Sequence, residues 1–325
     1  MEPLFTLDQL NVAATLVGHY VPPTPQFAWP LLTHAVGADV WVKHENHTPT
    51  GAFKVRGGLV YCNRFAREHV SPPGLISATR GNHGQSLAFA GRAFGLDVTI
   101  VVPLGNSPDK NAAMRGFGAT LIEYGHDFQD AREHAMRLAE TQGLHMVSSF
   151  HHDLVLGVAT YAREFLVGAP ELDVVYVPVG LGSGICAHIA VRDLLGLDTE
   201  IVGVVAERAP ATALSFAAGH AVSTDTAETF MDGVACRVPD AAAIDIIVRG
   251  ASRIVQVSED LCAAAVRLMY STTHNIAEPA GAVSLAGLLA EREQQQGKRV
   301  GVTLTGGNMD APLLATILAG HTPTV

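Results

Sequence analysis

Short apolar, β-branched runs recur along the chain, and longer stretches with apolar positions at helical spacing separate them. The strand-like runs are 39–45, 74–79, 97–103, 119–124, 144–149, 173–179, 200–206 and 299–305. Several are continuously apolar rather than alternating, most clearly "DVVYVPV" and "EIVGVVA", as expected of strands buried on both faces. Between them the pattern predicts helices, among them 84–94, 128–142 and 280–296. This alternation predicts an α/β protein with mainly parallel sheets covered by helices. The clearest break is "HVSPPG" (69–74), where two prolines end a helix before a new strand. A second break lies near Asp153. The two breaks predict a larger lobe formed by 1–70 and 154–325, with a smaller lobe, 71–153, inserted within it.

Bulk composition narrows the function. With 325 residues, 48% of them hydrophobic, the chain can bury one large core or two packed ones. A net charge of −10, without any basic run, argues against a nucleic-acid footprint. The apolar stretches are too short to span a membrane, and the acidic start "MEPLFTLDQL" lacks the pattern of a secretory leader. Four cysteines without C-x-x-C spacing fit reduced thiols in a cytoplasmic protein. Of the 15 histidines, two pairs lie close together, His44 with His47 and His151 with His152. Neither has the spacing of a helical zinc motif, so no metal site is expected.

Only four of the 21 basic residues are lysines: Lys43, Lys54, Lys110 and Lys298. Three stand beside charged or strongly polar residues, whereas Lys54 lies within "TPTGAFKVRGG". A desolvated ammonium has a lowered pKa, and the neutral amine is the form that attacks carbonyls. Thr50 reads as an N-cap, which places Lys54 in the first helical turn, where the helix dipole further disfavours its charge. Three strand-to-helix turns add candidate chemistry. In "VYVPVGLGSGICAHIA", glycines 180, 182 and 184 precede a helix and suit a phosphate. Ile185 stands where the dinucleotide fingerprint needs its third glycine, so a single phosphate monoester fits better than a pyrophosphate. In "SATRGNHGQS", free N–H groups at a helix start suit a carboxylate, and Asn82 offers an amide. In "VGVTLTGGN", Thr305 offers a hydroxyl at a strand end.

A reactive lysine, a phosphate cup, a carboxylate loop and a strand-end hydroxyl together suggest pyridoxal phosphate. Over nearly its whole length, and in motif order, the chain resembles the fold-type II pyridoxal-phosphate enzymes of the threonine/serine dehydratase and serine racemase group. The resemblance implies a fold of two lobes, each with a mainly parallel sheet covered by helices. It implies that Lys54 is the Schiff-base lysine and that Phe53 packs beside the cofactor. It also implies that Asn82 bonds the cofactor's phenolic oxygen, and that Gly180, Leu181, Gly182, Ser183 and Gly184 form the phosphate cup. Glu278 of "EPAGA" is expected near the ring and Thr305 at the pyridine nitrogen. Thr79, Arg80, Gly81, Asn82 and His83 are expected to hold the substrate.

Two departures from the family pattern carry information. Arg80 stands where racemases of this group place a serine as a second acid/base, and arginine keeps its proton. Racemisation is therefore not expected, and Arg80 is free to pair with a substrate carboxylate or a polar side chain. Val205 and Ala211 stand where the family's divalent-metal ligands fall, so that metal is not expected either. The chain ends soon after "TGGN", so the regulatory domain of biosynthetic threonine dehydratases, with its isoleucine control, is not expected. The implied activity is dehydration of an L-β-hydroxy-α-amino acid of the threonine or serine type to a 2-oxo acid and ammonia. Other β-hydroxy substrates (phenylserine or 3-hydroxyaspartate), β-replacement and serine racemisation are the alternatives. Outside that family, a nicotinamide oxidoreductase or a cofactor-binding protein without turnover are the rivals. A small amino-acid substrate, no nucleic-acid or membrane partner, and a homodimer complete the expectation.

Overall fold

Ten strands are found among the residues that the computed structural model describes, 3–324. In chain order they are β1 (Gln26–Ala28), β2 (Asp39–His44), β3 (Leu75–Ala78), β4 (Val98–Val102), β5 (Thr120–Glu123), β6 (His145–Met146), β7 (Val174–Pro178), β8 (Glu200–Ala206), β9 (Arg253–Val257) and β10 (Arg299–Leu304). They form two sheets, one ordered β1-β2-β10-β7-β8-β9 and the other β5-β4-β3-β6. Every pairing is parallel except β1 with β2.

The continuous apolar runs have the expected consequence. In β8 and β10 every residue after the first is buried, which requires helices on both faces. Helix Pro279–Ala290 shows the same logic: Pro279 to Leu288 are all buried, and the helix packs on β7 and β10. A helix apolar all round belongs in the interior.

The structure corrects several local expectations. The helix carrying Lys54 begins at Lys54 itself, with Phe53 rather than Thr50 at its N-cap. Thr50 instead donates its hydroxyl to the Ala52 carbonyl, inside a turn that the Thr48 hydroxyl closes by accepting from the Ala52 N–H. The helix read as 84–94 starts earlier, at Asn82. The one read as 280–296 stops at Ala290, where Glu291 is engaged by Arg253, and a 3-10 turn follows. The run 144–149 contributes only His145–Met146 to the smaller sheet. Strands β1 and β9 escaped the sequence reading. β1 is three residues long, and β9 carries Arg253 and Gln256, which break its apolar run.

The two sheets aim their carboxyl ends at a shared region. Loops leaving β2, β3, β7 and β10 carry 45–53, 79–81, 179–182 and 305–310 respectively. Ligands of open α/β sheets bind at such strand ends.

Candidate active site

Lys54 is held from three directions. Its chain segment docks on the loop after β10, with the Phe53 N–H donating to the Thr305 carbonyl at 3.0 Å and Ala52 bridging Gly306. Its own carbonyl accepts from the Ser86 hydroxyl at 2.6 Å. Two residues on, Arg56, itself fully buried, anchors the helix in a largely buried cluster. Arg56 Nε lies 2.8 Å from Glu45 and Nη1 2.7 Å from Glu164, which also takes Lys43 Nζ at 2.7 Å. Two cations facing two carboxylates can survive burial because each charge is paired and hydrogen-bonded.

The Lys54 ammonium itself has neither an ion pair nor a hydrogen bond among the described residues; Nζ sits 4.9 Å from the centre of the Phe53 ring. Desolvation pulls its pKa down to about 8, against the opposing pull of the Glu278 carboxylate. The amine is thus neutral in part near physiological pH, unlike an ordinary lysine.

The loop from Thr79 to Gly81 leads into helix Asn82–Phe94, so that Asn82 and His83 occupy its first turn. Thr79 fastens the loop by accepting from the Gly81 N–H at 3.0 Å. The first N–H groups of the helix have no helical acceptor, which leaves them available to an anion. His83 is buried, its Nε2 lacks a partner, and desolvation lowers its pKa to about 3, so it is neutral. Asn82 donates to Glu278 and accepts from Asn308 at 2.9 Å. Arg80 turns outward onto Asp232, Nη1 to Oδ1 3.2 Å.

The glycine cup follows β7. Gly182 caps helix Ser183–Leu195 with φ of 101°, a left-handed conformation that favours glycine. Any side chain on Gly180 would collide with the Gly233 carbonyl. Gly180 is thereby pressed against the 3-10 turn Asp232–Val234, and the free N–H groups at the helix start remain available. Behind the cup, the Tyr161 hydroxyl lacks a partner and lies 3.5 Å from the Cβ position at Gly184.

Thr305 and Glu278 complete the set. Thr305 is buried, and its hydroxyl has only a long contact, 3.5 Å, to the Ala280 carbonyl, so it is essentially uncommitted. Glu278, at the N-cap of helix Pro279–Ala290, is nearly fully buried.

Three further residues share this site: Lys110, Asp232 and Asn308. Lys110 Nζ lies 3.3 Å from Glu278 and 4.0 Å from Asp232. Burial works against its charge, but Glu278 and Asp232 outweigh that and hold its pKa above the ordinary lysine value. Polar sequence neighbours do not keep these lysines at the surface: Lys43 is fully buried and the Lys110 side chain mostly so. Asn308, inside the "TGGN" motif, was visible without having been singled out. The paired histidines stand apart from these groups, His44 accepting from the Trp29 indole and His151 and His152 flanking Asp153. Among the described residues no three His, Cys, Asp or Glu side chains converge as a metal set.

The arrangement fits pyridoxal phosphate. It offers an unpaired, partly neutral amine, a glycine cup with free N–H donors and an uncommitted hydroxyl at a strand end. The family model described as "Pyridoxal-phosphate dependent enzyme" matches residues 17–306. The chain belongs to this family. Among its relatives, an L-threonine ammonia-lyase of Thermotoga maritima is 30% identical over 97% of this chain and 78% of its own length. An L-threo-3-hydroxyaspartate ammonia-lyase of a Pseudomonas species is 32% identical over 96% of this chain and 98% of its own. The solved structure of the processed form of threonine deaminase isoform 2 from Solanum lycopersicum superimposes with a TM-score of 0.88 at 28% identity. That match covers 98% of this chain and 96% of that one. The fold is the fold-type II arrangement of two helix-covered parallel sheets. No helix among the described residues is long and apolar enough to cross a membrane.

Proposed function

We propose that this pyridoxal-phosphate enzyme is an ammonia-lyase that dehydrates an L-β-hydroxy-α-amino acid to a 2-oxo acid and ammonia. The observation that carries this reading is the Lys54 amine, unpaired and desolvated, on a segment docked on the Thr305 carbonyl and near enough to His83 of the carboxylate loop to act on its charge. The names of the two similar curated proteins, both ammonia-lyases of β-hydroxy amino acids, support it.

Bound pyridoxal phosphate supplies the carbonyl that captures the substrate amine and a sink for the electron pair released at the α-carbon. The phosphate belongs on the N–H groups of Gly180, Leu181, Gly182, Ser183 and Gly184. Thr305 would hold the ring nitrogen, Asn82 would bond the phenolic oxygen, and Phe53 would pack beside the ring. A neutral threonine hydroxyl cannot keep a ring nitrogen protonated as a carboxylate does. The sink is then moderate, which suits prompt expulsion of a β-hydroxyl. N–H groups of Gly81, Asn82 and His83 take the α-carboxylate, with Thr79 shaping the loop. In this pose the neutral Lys54 amine removes the α-proton. The β-hydroxyl leaves as water, and the released enamine adds water back, giving 2-oxo acid and ammonia. The site lies between the lobes expected at 71–153 and the remainder, in a cytoplasmic protein whose expected homodimer light scattering checks.

A panel of threonine, serine, 3-hydroxyaspartate and phenylserine, assayed for 2-oxo acid and ammonia, tests the reading. Release of neither product from any member overturns it. Turnover of O-acetylserine with sulfide, without dehydration, would assign β-replacement instead.

A further inference from the structure

Charged side chains alternate in sign outward from Lys54: Glu278, Lys110, Asp232 and finally Arg80, which alone is half exposed at the mouth. Arg80 spends one N–H on one oxygen of Asp232, across 3.2 Å. A guanidinium has five donors in a planar fork, so most of this one stays open to a ligand. The Arg80–Asp232 pair is solvent-exposed on both sides, at 46% and 37%, and such pairs are held weakly and exchange readily. Arg80 directly precedes Gly81, so its guanidinium stands at the outer edge of the carboxylate loop, paired across the mouth with Asp232. On the reading proposed above, the α-carboxylate goes to that loop and the α-amine to the cofactor. Only the β-substituent is left to reach Arg80.

A methyl or hydrogen there gives a guanidinium nothing and costs it solvation. A carboxylate gives it a bidentate, charge-assisted partner. We infer that Arg80 is the specificity-determining residue of this enzyme and selects β-hydroxy amino acids that carry a second carboxylate on the β-carbon. This inference rests on the dehydratase reading. The elimination keeps the same balance: the α-proton goes to Lys54, water leaves the β-carbon, and a 2-oxo dicarboxylic acid and ammonia result. Asp232 holds the guanidinium in place until the substrate carboxylate displaces it.

The test compares kcat/KM for 3-hydroxyaspartate and for threonine, using the purified holoenzyme. The native protein is expected to favour the dicarboxylate. Arg80→Ala should lower the ratio about 10- to 100-fold, the scale of one charge-assisted pair. Arg80→Lys, which keeps the charge without the fork, should recover part of the loss, and Asp232→Asn should raise the ratio. Cofactor absorbance and thermal unfolding confirm that each variant is folded and loaded. A ratio unmoved by Arg80→Ala, or a native preference for threonine, overturns the inference while leaving the dehydratase reading intact. Failure of every β-hydroxy amino acid to yield 2-oxo acid overturns that reading instead.

Discussion

The ammonium of Lys110 lies 3.3 Å from the carboxylate of Glu278, within a site where Asn82 donates to that same carboxylate. One buried acid thus ties a helix of the smaller sheet's half to the start of helix Pro279–Ala290. It is also the charge that acts on the Lys54 amine.

Loading of apo-protein with pyridoxal phosphate should follow that amine. Its pKa is about 8, so the neutral, reactive fraction grows as pH rises through that value. Glu278 favours the ammonium and raises the pKa, hence Glu278→Gln should shift the half-maximal loading rate to lower pH. Stopped-flow absorbance across pH 6 to 10 measures both profiles; a shift in the alkaline direction contradicts the assignment.

Lys54→Ala removes the amine proposed to take the α-proton. Turnover should fall below detection and the visible absorbance of the loaded protein should vanish, while far-ultraviolet circular dichroism is unchanged. Residual 2-oxo acid release at more than a thousandth of the native rate, on the order expected from loss of a catalytic base, argues for another base.

The cup predicts a local steric penalty. Gly180→Ala drives a methyl group into the Gly233 carbonyl, which must shift the turn that carries Asp232. Overpacking of this kind costs about 1–3 kcal/mol. Cofactor affinity should weaken about tenfold or more, a loss of 1.4 kcal/mol per decade, as equilibrium dialysis reads directly.

The buried cluster at Arg56 should behave as a stability element that holds the lysine-bearing helix. Arg56→Met strands Glu45, itself wholly buried, and is expected to destabilise the protein by about 3–5 kcal/mol. Urea unfolding of the apo-protein measures this without involving the cofactor.

Chemistry on one face, independent of metal, follows from Arg80, Val205 and Ala211. Arginine stays protonated at ordinary pH and so cannot act as the second base, and neither Val205 on β8 nor Ala211 at a helix start offers a side-chain oxygen to a hard cation. Residual substrate at partial conversion should stay in the L form, and activity should persist in excess EDTA. Chiral chromatography with and without EDTA reads both; substantial D-enantiomer, or activity lost and then restored by magnesium, contradicts this.

Most of the fold was legible from local pattern alone. Continuous apolar runs such as those of β7 and β8 specify buried parallel strands because no other placement hides both faces of them. Glycines at 180 and 182 and the Gly81–Asn82 junction mark strand-to-helix turns for the same local reason: backbone conformation is settled by neighbours in sequence. Lys54 stood out because its immediate neighbours are apolar. That criterion failed for Lys43 and Lys110, whose sequence neighbours are polar but whose partners are remote. Lys43 meets Glu164 across 121 positions, and Asn82 meets Glu278 across 196. Burial and pairing of a charge are properties of what the chain folds against it, so the tertiary structure alone decided them. Arg80 shows the division most plainly: its identity carries the expectation for the second face of the reaction, but its pairing with Asp232 exists only because two distant loops end at one cleft.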